Sequence, residues 1–248
     1  MSFRLLPVLN QMAEIYALPR NQERFEKYLY LLQGPQKEDL VFPIAGFNPM
    51  GKELASSKLD DLIAISAEEV VKKTLLQVDH RTPDTFEVAI NLVDDVEGSW
   101  SEKASTDFRN RFEIGPMVKR NFCVVYVWTS EVISERLLKN RTLEAVHRTI
   151  HFLDHGHPKT LEACLRQEIR AYRISETEKA IDPSPFKVLE EFFNTHKRSE
   201  DYALKFNFFY GDQASSLLGY KAFGISSVTG LDWAKALAQS QSSNTPYL

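Results

Sequence analysis

Four of the chain's six histidines fall within residues 142–173, TLEAVHRTIHFLDHGHPKTLEACLRQEIRAYR, where the side chains best suited to chemistry are gathered. His147 and His151 stand four apart, a spacing that lets two imidazoles on one helix face reach a single ion. Glu168 is the third candidate ligand. Two imidazoles and a carboxylate leave one coordination position open, which a catalytic zinc, iron or manganese ion needs for water or substrate. Glu144 and Asp154 lie on the same flank as the histidines and are the candidates for orienting a ligand or taking a proton. The specific function is not readable from these residues; the lead they give is one bound divalent metal in a metal-dependent hydrolase.

The same residues support a plainer account. Histidines near a helix C-terminus favour its dipole and cap its last carbonyls. Glu168 can pair with His147, Arg148 or Arg166, and HRTIH lacks the glutamate that serves as base in HExxH. On that account the chain is a non-catalytic protein-binding or scaffolding domain, and these residues are structural pairs.

A second constellation lies in residues 94–120. Asp94, Asp95 and Glu97 follow a strand and offer oxygen ligands to a cation. Arg109 and Arg111, within FRNRF, share a face if that segment is extended and can then fork onto a carboxylate or phosphate. Acids and arginines pairing with one another is the competing explanation. The segment GFNPMGK misses the phosphate-loop pattern, because Gly46 is one residue too near Gly51 and Glu53 stands where Ser or Thr is needed. No GxSxG turn frames a serine.

The elements that must position these groups follow from periodicity. Leu143, Val146, Ile150 and Leu153 make the buried stripe of a helix opening at Thr142 and stopped by Gly156 and Pro158. A second helix opens at Thr160, with Leu161, Cys164, Leu165, Ile169 and Tyr172 inward and Glu168 among them. A loop this short makes the two an antiparallel hairpin. Upstream, helices are predicted over residues 3–17 and 21–33, and Ser66 with Glu69 reads as a capping box for a helix to about Val78. Strands are predicted at 39–45, 85–93 (half-buried), 121–128 (central, being apolar on both faces) and 203–210. Thr129 or Ser130 caps a helix after the third of these, in the place where open sheets of this kind bind ligands. Further helices follow Ser184 and Thr229 or Asp232.

The whole is predicted to be α+β, with more helix than strand and a small sheet of about four strands. It reads as one domain over residues 1–240, with a linker near 174–184 and a frayed polar tail at 241–248. The chain has 248 residues, 43% hydrophobic and 26% charged, ordinary values for a globular protein. Its net charge of −4 and pI near 5.9 argue against nucleic acid as the main partner. No apolar run is long enough to span a bilayer, and the N-terminus is too polar for a signal peptide. Cys123 and Cys164 are expected buried and reduced, in the cytoplasm. A homo-oligomer is an allowed assembly.

Overall fold

The computed structural model describes residues 2–36, 39–79, 84–96, 99–175, 186–225 and 228–240. Glu97, Ser184, most of the expected linker and the expected tail lie outside them. The α+β class holds. In chain order the elements are β1 (Phe3–Leu5), α1 (Leu9–Ala17), α2 (Gln22–Gln33), α3 (Glu53–Ala64), α4 (Ala67–Leu75), β2 (Phe86–Val93) and α5 (Lys103–Phe112). Then come α6 (Gly115–Val118), β3 (Phe122–Trp128), α7 (Glu135–His155), α8 (Leu161–Tyr172), α9 (Lys187–His196), α10 (Tyr202–Leu217) and α11 (Gly230–Ser240). Residues 1–240, expected as one domain, group into two compact units. The first is Met1–Lys103 with Gly115–Val146, and the second is Ala104–Ile114 with His147–Leu248.

The first unit is built on a parallel sheet of order β1-β2-β3, three strands where the sequence predicts four. Its register runs from Phe3 beside Phe86 and from Glu87 beside Phe122 to Val93 beside Trp128. The expected roles of β2 and β3 are exchanged. β2 is the central strand, and β3 has no further strand beside it among the described residues. The alternation of Glu87, Ala89 and Asn91 looks like a wet face, but only Glu87 meets solvent. Asn91 is 1% exposed and donates from Nδ2 to the Pro43 carbonyl at 3.3 Å. That interaction lies in residues 39–45, which run as bends and turns rather than a strand.

The predicted first helix begins late. Residues 3–5 join the sheet, and α1 starts after Pro7, where Glu68 Oε1 accepts from the backbone of Val8 (2.6 Å) and Leu9 (3.0 Å). A carboxylate distant in sequence thus satisfies amides that a local cap would ordinarily take. The Ser66 capping box does not form. Ser66 sits at φ 53°, in the left-handed region, and its side chain makes no cap.

The second unit is helical. The predicted strand at 203–210 is the first half of α10, opened by Asp201, whose side chain accepts from Leu204 N at 2.7 Å. Leu204, Phe206, Phe208 and Phe209 are all buried. A helix buried around its circumference can be as dense in apolar residues as a central strand, and here Lys205 and Asn207 are buried with the phenylalanines. Gly211, at φ 80°, breaks the helix. α8 packs chiefly on α11, around an aromatic-rich core that includes Phe108, Phe112, Phe193 and Phe208.

Candidate functional site

The first helix of the hairpin is longer than its sequence signals suggest. α7 starts at Glu135, with Ser134 Oγ accepting from Leu137 N at 3.2 Å. Thr142 is not its cap; its hydroxyl donates to the Leu138 carbonyl one turn back at 2.7 Å. The stop at Gly156 (φ 76°) and the cap at Thr160, which accepts from Ala163 N, are where the sequence puts them.

Glu168 is fully buried and both its oxygens are occupied. Arg148 forks onto them, Nε to Oε1 at 2.7 Å and Nη2 to Oε2 at 2.8 Å, while Arg111 Nη1 donates to Oε2 at 2.7 Å. Arg111 also donates to the Tyr172 hydroxyl (2.9 Å) and from Nε to Asp107 Oδ2 (2.7 Å), which accepts from Tyr210 as well. Two guanidiniums, Arg148 and Arg111, thus meet the carboxylates of Glu168 and Asp107. Burial would raise the Glu168 pKa, but the charges of Arg148 and Arg111 outweigh it and hold the carboxyl at about 2. Burial works against the charged form of Arg111 too, and Asp107, Tyr172 and Glu168 more than offset it.

The expected convergence of His147, His151 and Glu168 is therefore not formed. Two arginines took the acid, and no group of three or more His, Cys, Asp or Glu is placed to hold a metal ion among the described residues. His151 is 4% exposed, and its Nδ1 has no hydrogen-bond partner there. Burial, with the charges of His155 and Arg170, lowers its pKa to about 4. Its ring lies 4.6 Å from that of His155, and Asp154 is exposed and pairs with Arg170 at 3.3 Å. Glu144 is buried, 7% exposed, on the first unit's part of α7.

Arg109 and Arg111 also separate. FRNRF is the end of α5, not an extended segment, and two residues at about 100° each point to opposite sides of a helix. Arg111 is buried and Arg109 exposed.

The acids after β2 meet different partners. Parallel register brings the carboxyl ends of β2 and β3 side by side, so Asp94 and Asp95 stand next to Thr129 and Ser130. Asp95 Oδ1 accepts from Thr129 Oγ1 and from Ser130 N, both at 2.9 Å. Its Oδ2 accepts from Ser130 Oγ at 2.6 Å and from Lys103 Nζ at 2.8 Å. Burial raises the Asp95 pKa, and these bonds from Lys103, Ser130 and Thr129 bring it below the usual carboxylate value. Lys103 gives Asp95 a counter-charge, so of the acids expected to hold a cation this one is already ion-paired. Lys103 Nζ also donates to Ser130 Oγ at 2.7 Å and lies 5.4 Å from the centre of the Trp128 ring.

Asp94 is 5% exposed and accepts from Asn48 Nδ2 on Oδ2 at 2.8 Å. Its Oδ1 is 3.4 Å from Thr129 Oγ1. A threonine hydroxyl has one proton, and the shorter approach, to Asp95, takes it. Lys103 and the pairing of Ser130 with Asp95 are absent from the sequence reading, which treats Ser130 only as a helix cap. The available signal is a Thr-Ser pair directly after a buried strand; what completes it is the parallel register.

No family model matches the chain, and neither the curated proteins nor the solved structures contain a match.

Proposed function

We propose that the chain is a binding protein of the cytoplasm whose ligand sits at the carboxyl edge of the parallel sheet, with the charged residues of the hairpin serving as structural pairs. Asp94 Oδ1 carries this reading: it is a nearly buried carboxylate oxygen whose hydrogen bond among the described residues, from Thr129 Oγ1, is long at 3.4 Å and competes with the 2.9 Å bond of the same hydroxyl to Asp95. Buried polar atoms acquire partners, and a ligand hydroxyl or amino group fits that oxygen. Thr129, Ser130 and Lys103 make polar contacts with the neighbouring Asp95, at the edge where ligands of open parallel sheets gather.

The test is a titration of 15N-labelled protein with a library of small hydroxyl- and amino-bearing fragments. Amide shifts at Asp94, Asp95, Thr129 and Ser130 are expected, and Asp94→Asn abolishes them. Shifts confined to other surfaces, or none at saturating fragment, overturn the proposal.

The metal-dependent hydrolase is the second reading, favoured only by the buried Nδ1 of His151. Glu168 is not free to join it.

A further inference from the structure

We propose that the outer side of β1 takes an extended, uncharged peptide segment of a partner as a further strand of the sheet. This site is separate from the carboxyl ends of β2 and β3. Among the described residues β1 pairs with β2 alone. Phe86 N donates to the Ser2 carbonyl at 2.7 Å and Leu6 N to the Val88 carbonyl at 2.8 Å, in the register that sets Arg4 beside Glu87. Residues that bond one neighbouring strand alternate along a parallel pair, so Ser2, Arg4 and Leu6 turn their backbone groups to β2. Those of Phe3 and Leu5 turn the other way, and no described residue bonds them. Phe3 is buried and Leu5 half-buried, so these groups are short of water as well as of protein partners. Backbone groups in that position are paired in nearly all native structures.

Phe3, Arg4 and Leu5 line a cavity of about 620 Å³, a volume usual for ligand sites. Ile63 of α3, Leu75 of α4 and Leu76 give it apolar walls, and Ile63 and Leu76 are exposed. The charged residues around it balance, Arg4 and Lys72 against Glu68 and Glu69, so nothing there selects an ion. Free N–H and carbonyl groups on alternate residues, beside apolar side chains, are the complement of an extended backbone. A second copy would bring its α4 along with its β1, since the two pack together, and a cavity of this size admits a strand without a helix.

The probe is a capped hexapeptide of alternating threonine and valine, added to 15N-labelled protein. Hydrogen exchange at the Phe3 and Leu5 amides is expected to slow by about ten-fold or more, while Arg4, already bonded to β2, keeps its rate. Two N-methylated forms sharpen the readout, because methyl groups on the valine amides block one side of the strand and on the threonine amides the other. One form should bind about ten-fold or more weaker and the other like the parent. Leu76→Asp should weaken binding with an unchanged melting temperature. Equal binding by both methylated forms, shifts that avoid Phe3 and Leu5, or none at millimolar peptide overturns the proposal. So does protection of those amides that grows with protein concentration in the absence of peptide, which assigns the edge to a second copy.

Discussion

Glu168 shows how one side chain's partners decide what a helix pair can do. Its carboxylate is held by three guanidinium hydrogen bonds, and Glu168→Ala takes from the buried Arg111 and Arg148 the counter-charge they share. Breaking a buried pair from one side costs about 3–5 kcal/mol, so chemical denaturation of that variant should show a loss of that order. Acid tests the same site. A carboxyl at about 2 in the folded chain and near 4.5 when unfolded contributes stability above pH 4.5 that is lost as the pH falls toward 2. His151 acts in the same direction at higher pH. Its lowered pKa means the unfolded chain takes up a proton first, so stability declines as the pH drops from about 6.5 to 4. His151→Gln should flatten that upper part of the profile; an unchanged curve between those limits removes His151 as its source. The sequence shows that Glu168 needs a partner, since it interrupts an apolar stripe, and it names Arg148 among the choices. It does not show Arg111, which comes from 57 residues away.

The start at Thr160 and the stop at Gly156 sit where the sequence puts them, whereas Thr142 lies inside α7 rather than at its start. Of the strands inferred from apolar residues, 85–93 and 121–128 kept their type and 203–210 did not. Residues 203–210 became helix because α10 is enclosed on every side, and periodicity cannot separate that from a central strand. The contact of α11 with α10 gives a sharp check. A Cβ on Gly230 overlaps the Phe208 ring and comes within 2.9 Å of its carbonyl oxygen, so neither a rotamer change nor a small shift clears it. Gly230→Ala should cost roughly 1–3 kcal/mol, the usual range for overpacking, read as a lower urea midpoint. Stability unchanged by that substitution contradicts the packing of α11 on α10. β3 and β2 exchanged roles for a related reason. Strand order follows from which strands pair, and Asn91 reads as a surface residue until its partner, the carbonyl of Pro43, is in place.

Across the molecule, the chemically suited residues divide differently from their sequence grouping. Of the two constellations, the histidine-bearing one supplies core pairing, and the acids after β2 meet Lys103 and Ser130 at the sheet edge. Nearness in sequence predicted the first grouping, and parallel register made the second. No helix among the described residues is long and apolar enough to cross a membrane, and Cys123 and Cys164 are buried and unbridged. The most direct measurement of the division is elemental analysis of protein purified without chelators, beside the fragment titration. The proposed reading predicts ligand-induced shifts at Asp94 and Ser130 in protein that carries no stoichiometric zinc, iron or manganese. One metal ion per chain, lost in both His147→Ala and His151→Ala, would return the chemistry to the hairpin.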